Sequence, residues 1–194
     1  MSHPEKFDPR SYSPVLQELL KEKRLNSLGP GTPHNAVRSQ LSALKTHQAF
    51  TPHKIIDENM ADACLAGIWL YHDFLNESHQ ISQSIPSATG SYWHAIVHHR
   101  EGDFWNSKYW FRRVEKHPVF EPLHQEAARL AEEAKLDQSA AFLKKQTAWD
   151  PFAFVDLCEA QVNSQSPTEM LCRKIQQREW ELLFDHCYRK TIGK

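Results

Sequence analysis

Residues 61–83 read ADACLAGIWLYHDFLNESHQISQ. At about 100° per residue, Leu65, Ile68, Trp69, His72, Leu75, Asn76, His79 and Gln83 fall on one face of a helix. The first half of that face is apolar and the second half is polar. Buried polar groups need partners, so the pattern predicts a long helix over 55–83 whose far end borders a polar pocket. This helix is the expected centre of the fold.

The same period recurs on both sides. In 91–101, SYWHAIVHHRE, an apolar stripe of Trp93, Ile96 and Val97 lies beside a second stripe of His94, His98 and Glu101. In 102–120, GDFWNSKYWFRRVEKHPVF, Asn106, Ser107, Trp110, Arg113, Val114 and His117 share a face beyond the capping residue Asp103. Cap-Pro pairs mark further helix starts at Ser13-Pro14, Thr32-Pro33, Thr51-Pro52, Asp150-Pro151 and Ser166-Pro167; the last adds Glu169 as a capping box. Helices are therefore expected over 14–27, 33–46, 55–83, 91–101, 104–116, 122–146 with a break near 135–137, 151–162 and 167–190. No segment alternates with period 2, so the fold class is all-α: an irregular helical bundle of about seven or eight helices. The domain reading is a flexible N-terminal arm, 1–12, followed by a single helical domain, 13–194.

Composition narrows the function classes. A 194-residue chain with 40% hydrophobic and 24% charged residues can bury a core. Its net charge of −1 provides no overall basic field for nucleic acid. The longest apolar run, Cys64 to Leu70, is too short to span a bilayer, and the N-terminus lacks the apolar core of a secretory signal. Cys64, Cys158, Cys172 and Cys187 form no CxxC pair and read as reduced thiols of a cytoplasmic protein. No nucleophile elbow, phosphate-binding loop or dinucleotide fingerprint is present.

Chemistry concentrates in residues 69–117, where six of the 12 histidines and four of the six tryptophans lie. Two histidines at i, i+4 with a carboxylate one turn on can converge on a metal or share a proton. His72, His79, His94 and His98 are accordingly the candidate ligands of a divalent metal, with Glu101 beside them. Asn106, Trp110 and His117 share the facing side of the next helix. Arg112 and Arg113 follow Tyr109-Trp110-Phe111, and a guanidinium in an aromatic setting suits a small anionic molecule.

The run from His94 to Pro118, with His98-His99-Arg100-Glu101-Gly102-Asp103, Asn106 and Lys108-Tyr109-Trp110-Phe111-Arg112-Arg113, resembles a helical protein family with no assigned activity. An upstream His72-Asp73 and Ser78-His79 extend the likeness to about residues 65–123. His99 and Ser107 depart from the pattern, which favours Arg and Ala there. The resemblance implies that the segment is one unit and implies no substrate. Residues 91–118 also look like one tetratricopeptide hairpin through Ala95, Gly102-Asp103-Phe104, Ser107, Phe111 and Val114. In addition, His72-Asp73 is similar to the dipeptide of HD-type phosphohydrolases. Two functions follow: an enzyme or small-ligand binder using a His/Glu/Arg pocket, or a helical interaction protein whose histidines are structural.

Overall fold

The computed structural model describes residues 6–134 and 138–194. Among them there is no strand, and the chain folds as ten α-helices with three short 3-10 turns, more than the seven or eight expected. The α-helices are α1 (Pro14–Leu20), α2 (Arg38–Ala43), α3 (Thr46–Ala49), α4 (Glu58–Tyr71) and α5 (Leu75–Ser82). They continue as α6 (Ala88–Glu101), α7 (Phe104–Val114), α8 (Phe120–Glu133), α9 (Pro151–Gln161) and α10 (Pro167–Ile192).

Three of the five cap-Pro pairs start helices as read. Ser13 accepts from Leu16 N, Asp150 from Phe152 N and Ala153 N, and Ser166 from Glu169 N. The return half of the expected capping box goes elsewhere, because Glu169 accepts from Gln165 N. Thr51-Pro52 sits in a turn, and α4 starts instead at Asp57, which accepts from Met60 N at 3.1 Å. Thr32-Pro33 caps no helix directly, but a 3-10 turn at Asn35–Val37 runs straight into α2, inside the helix expected over 33–46. The break expected at 135–137 lies outside the described residues.

Tertiary hydrogen bonds explain the two largest departures. The first helix stops at Leu20 rather than 27, because the backbone beyond it is claimed by other elements. Arg24 N donates to Tyr71 Oη, Arg173 Nε to Asn26 O, and Gln176 Nε2 to Ser27 O. The long helix predicted over 55–83 breaks at residues 72–74, where Asp73 takes φ 62°. A left-handed residue ends the helical path, so α5 leaves in a new direction. Ser78 Oγ then donates to Ala66 O at 2.8 Å and holds α5 against α4.

The expected central helix keeps its place in its first part: α4 packs on α3, α5, α6 and α10, and α10, the longest helix, is its main partner across the core. Helix α10 also packs on α8 and α9, and its Trp180 Nε1 donates to Gly67 O at 2.8 Å. A Cβ at Gly67 would lie 2.9 Å from the Trp93 ring, so glycine there lets α4 approach α6. Residues 6–12, placed in an arm by the sequence, lie on α10: the Phe7 ring is 5.7 Å from Trp180, and buried Tyr12 is 5.1 Å from Phe184. No helix among the described residues is long and apolar enough to cross a membrane.

Candidate functional site

Three consecutive helices build the site. Ser87 caps α6 by accepting from Gly90 N, and Gly102 closes that helix in the left-handed region at φ 82°. Asp103 then caps α7, so the two helices return on each other as a tight hairpin. Residues 89–100 are all buried. The apolar and histidine stripes of α6 are therefore both inside, the second facing α5 and α7.

His79 from α5 and His94 and His98 from α6 meet there. Their ring centroids are 4.4 Å (79–94), 4.7 Å (94–98) and 5.0 Å (79–98) apart. One ring nitrogen from each lies within 4.8 Å of the other two. His94 is 2% exposed and His98 7%, while His79 is half-buried. Burial first, then the neighbouring His79 and His98, pushes His94 down to about 3, so its imidazole is neutral near pH 7. Its Nδ1 is buried and has no hydrogen-bond partner.

The walls come from the expected residues. Glu101 Oε2 lies 3.2 Å from His98 Nδ1, within ion-pair distance. Asn106 Nδ2 lies 3.1 Å from His98 Nε2. The Trp110 ring packs against His94, with centroids 4.1 Å apart and planes tilted by 32°. The Arg113 guanidinium lies 5.0 Å over the Trp110 ring and donates to Tyr109 Oη at 3.3 Å. The three imidazoles and the Trp110 ring lie with centroids 4.1–5.0 Å from their neighbours.

Other expected residues lie elsewhere. The break at Asp73 turns His72 away from His79. His72 Nε2 donates to Leu19 O at 3.0 Å and its Nδ1 lies 3.2 Å from His34 Nδ1. Burial lowers it to about 4, and it serves as a neutral strut between α1 and the following loop. Asp73 is fully engaged by Arg24, Asn26 and Arg100, so the His72-Asp73 dipeptide holds ion pairs rather than a phosphohydrolase metal. His117 accepts from Val119 N through Nδ1 and bonds Thr89 Oγ1 through Nε2, and burial pushes it down to about 3. It pins the start of α8. Arg112 is exposed and lines a separate cavity beside Glu115 and Trp149. Asn76 and Gln83, polar members of the predicted inward face, are exposed.

Among the described residues, the sequence reading does not place Arg100, Glu126 and Glu179 as buried charges. Arg100 is 2% exposed and pairs with Asp73; its place one turn beyond Ile96 on the apolar stripe of α6 marks it as buried. Glu179 of α10 is 1% exposed and accepts from Tyr92 Oη at 2.7 Å. Burial raises its carboxyl to about 7, and its place one turn from both Ile175 and Leu183 on the apolar stripe of α10 is the sequence signal of that burial.

No protein-family model, no curated protein and no solved structure matches the chain, so the functional reading is carried by its own residues.

Proposed function

We propose that this protein binds one divalent transition-metal ion through His79, His94 and His98, and that the ion's open position takes a small anion. The observation that supports this best is the convergence of three imidazoles on one point, with a buried Nδ1 of His94 that has no partner. Buried polar nitrogens are normally satisfied, and an orphan among potential ligands is where an unmet cation fits. Glu101 supports the reading, because metal-bound histidines commonly donate their second N–H to a carboxylate. Nitrogens around a tetrahedral ion lie about 3.3 Å apart, so side-chain rotation rather than helix movement closes the set.

A three-histidine ion retains a coordination site for water or an anion, the arrangement in which a metal lowers the pKa of its water. Arg113, exposed above Trp110, would supply the positive charge that draws the anion in. The competing reading is an α6–α7 interaction hairpin with structural histidines. It is favoured by the bonds His98 already makes to Glu101 and Asn106.

Metal analysis of purified protein, followed by Zn²⁺ titration of the chelated protein, separates the two. One equivalent of metal is expected, lost in His94→Ala and His98→Ala and kept in His117→Ala. If His94→Ala and His98→Ala both unfold the protein, and the wild type takes up no metal, the histidines are core struts.

A further inference from the structure

Away from the histidines, a cavity of about 810 Å³ opens between the N-terminal segment, the 21–25 loop, α8 and α10. That volume is within the usual range of small-molecule sites. Its floor is apolar: Leu20 and Tyr71 are buried beneath it, and Phe7 closes one end. Leu25 forms part of the wall while 37% exposed, an apolar side chain that an occupant would cover.

The rim is cationic. Arginines and lysines on it outnumber the two carboxylates, Glu126 and Glu181, by six to two. Both carboxylates are already engaged: Arg178 lies 3.0 Å from Glu181 and 3.4 Å from Glu126, and Arg129 lies 3.2 Å from Glu126. Arg24 is held by Asp73 at 3.1 Å, and Lys21 pairs with Glu18. Lys6 and Lys23 remain, with no carboxylate in ion-pair reach among the described residues. In a chain of net charge −1, this is a local excess of positive charge over an apolar floor.

We infer that this cavity is a second binding site, for a small amphipathic anion whose acyl or aryl body lies on Leu20, Tyr71 and Leu25 and whose carboxylate, sulfonate or phosphate meets Lys6 and Lys23. Apolar burial supplies the affinity, and the two lysines select the charge and orient the molecule. The metal centre takes no part in it.

The probe is dodecanoate, titrated calorimetrically into the full chain below its micellar concentration, with dodecan-1-ol and dodecylamine as uncharged and cationic controls. One saturable site for dodecanoate is expected, with dodecan-1-ol weaker and dodecylamine weakest. The double variant Lys6→Glu, Lys23→Glu should weaken dodecanoate about tenfold or more, and Leu25→Glu should weaken all three. These positions are exposed, so an unchanged circular dichroism spectrum verifies the fold. His94→Ala should bind dodecanoate like the wild type, which keeps this result separate from the metal reading. Equal binding of dodecan-1-ol and dodecanoate, indifference to the lysine reversals, or association with phosphatidylglycerol vesicles without binding of monomeric dodecanoate would each overturn the inference.

Discussion

Two groups of buried polar side chains lie on opposite sides of the kink at Asp73, and their bonding differs. On one side, Asp73, Arg24, Arg100, Asn26 Nδ2 and His72 bond one another and nearby carbonyls, and Asn26 Oδ1 is left without a partner. On the other, His79, His94 and His98 crowd together while His94 Nδ1 is left unpaired. His72 and His79 read alike in the sequence, as polar residues on one inward face. What separates a strut from a site is whether the partners are supplied by the chain itself.

The first way to break this contrast is Arg100→Met. Removing the cation leaves Asp73 buried with less compensation, and the expected loss is about 3–5 kcal/mol of unfolding free energy. Urea denaturation measures it. A loss below about 1 kcal/mol would mean that the ion cluster is no strut. His94→Ala, by contrast, should cost far less in metal-free protein.

Next in size is the gain from metal. An ion at one hundred times its dissociation constant should stabilise the folded chain by about 2.7 kcal/mol. Thermal melts of wild type and His98→Ala with and without Zn²⁺ check this; an equal shift in both would locate the metal elsewhere.

The struts also sharpen the comparison through pH. His72 is lowered to about 4 and His117 to about 3, against about 6.5 when unfolded. The unfolded chain therefore binds these protons first. Stability is complete above about pH 6.5 and falls as pH drops toward 4, by about 1 kcal/mol per imidazole for each pH unit. In His117→Gln the slope between pH 6 and 4.5 should flatten by that amount. An unchanged slope would show that His117 is already protonated in the fold.

The smallest effect concerns Asn106. Its Nδ2 lies 3.1 Å from His98 Nε2, a nitrogen that a cation would take. Asn106→Ala should tighten Zn²⁺ binding about fivefold, the equivalent of one modest hydrogen bond. Weaker binding would make Asn106 a support of the site instead of a competitor for it.

Helical periodicity and cap-Pro pairs made much of the architecture readable, as at Ser13, Asp150 and Ser166. They could not reveal the break at Asp73, because that residue is turned by Arg24, Asn26 and Arg100, two of them more than forty positions away. His72 was misplaced for the same reason: the 3.6-residue period assumes a helix that continues. His94, His98, Glu101, Asn106 and Trp110 were legible because the hairpin that joins them is local, with Gly102 and Asp103 as its turn. His117 and Arg112 lie beyond or beside that regular stretch, and facing arithmetic alone does not place them.

The late position of α10 has a consequence for how the chain comes together. Trp180 bonds Gly67 across 113 residues, and Glu179 meets Tyr92 across 87. During synthesis, α4 and α6 therefore emerge long before the helix that covers them. Their apolar sides wait uncovered, and the final collapse is set by the arrival of one segment. An all-helical chain of this kind carries a larger share of long-range closure than an up-and-down bundle, and it should fold more slowly than its helix content suggests.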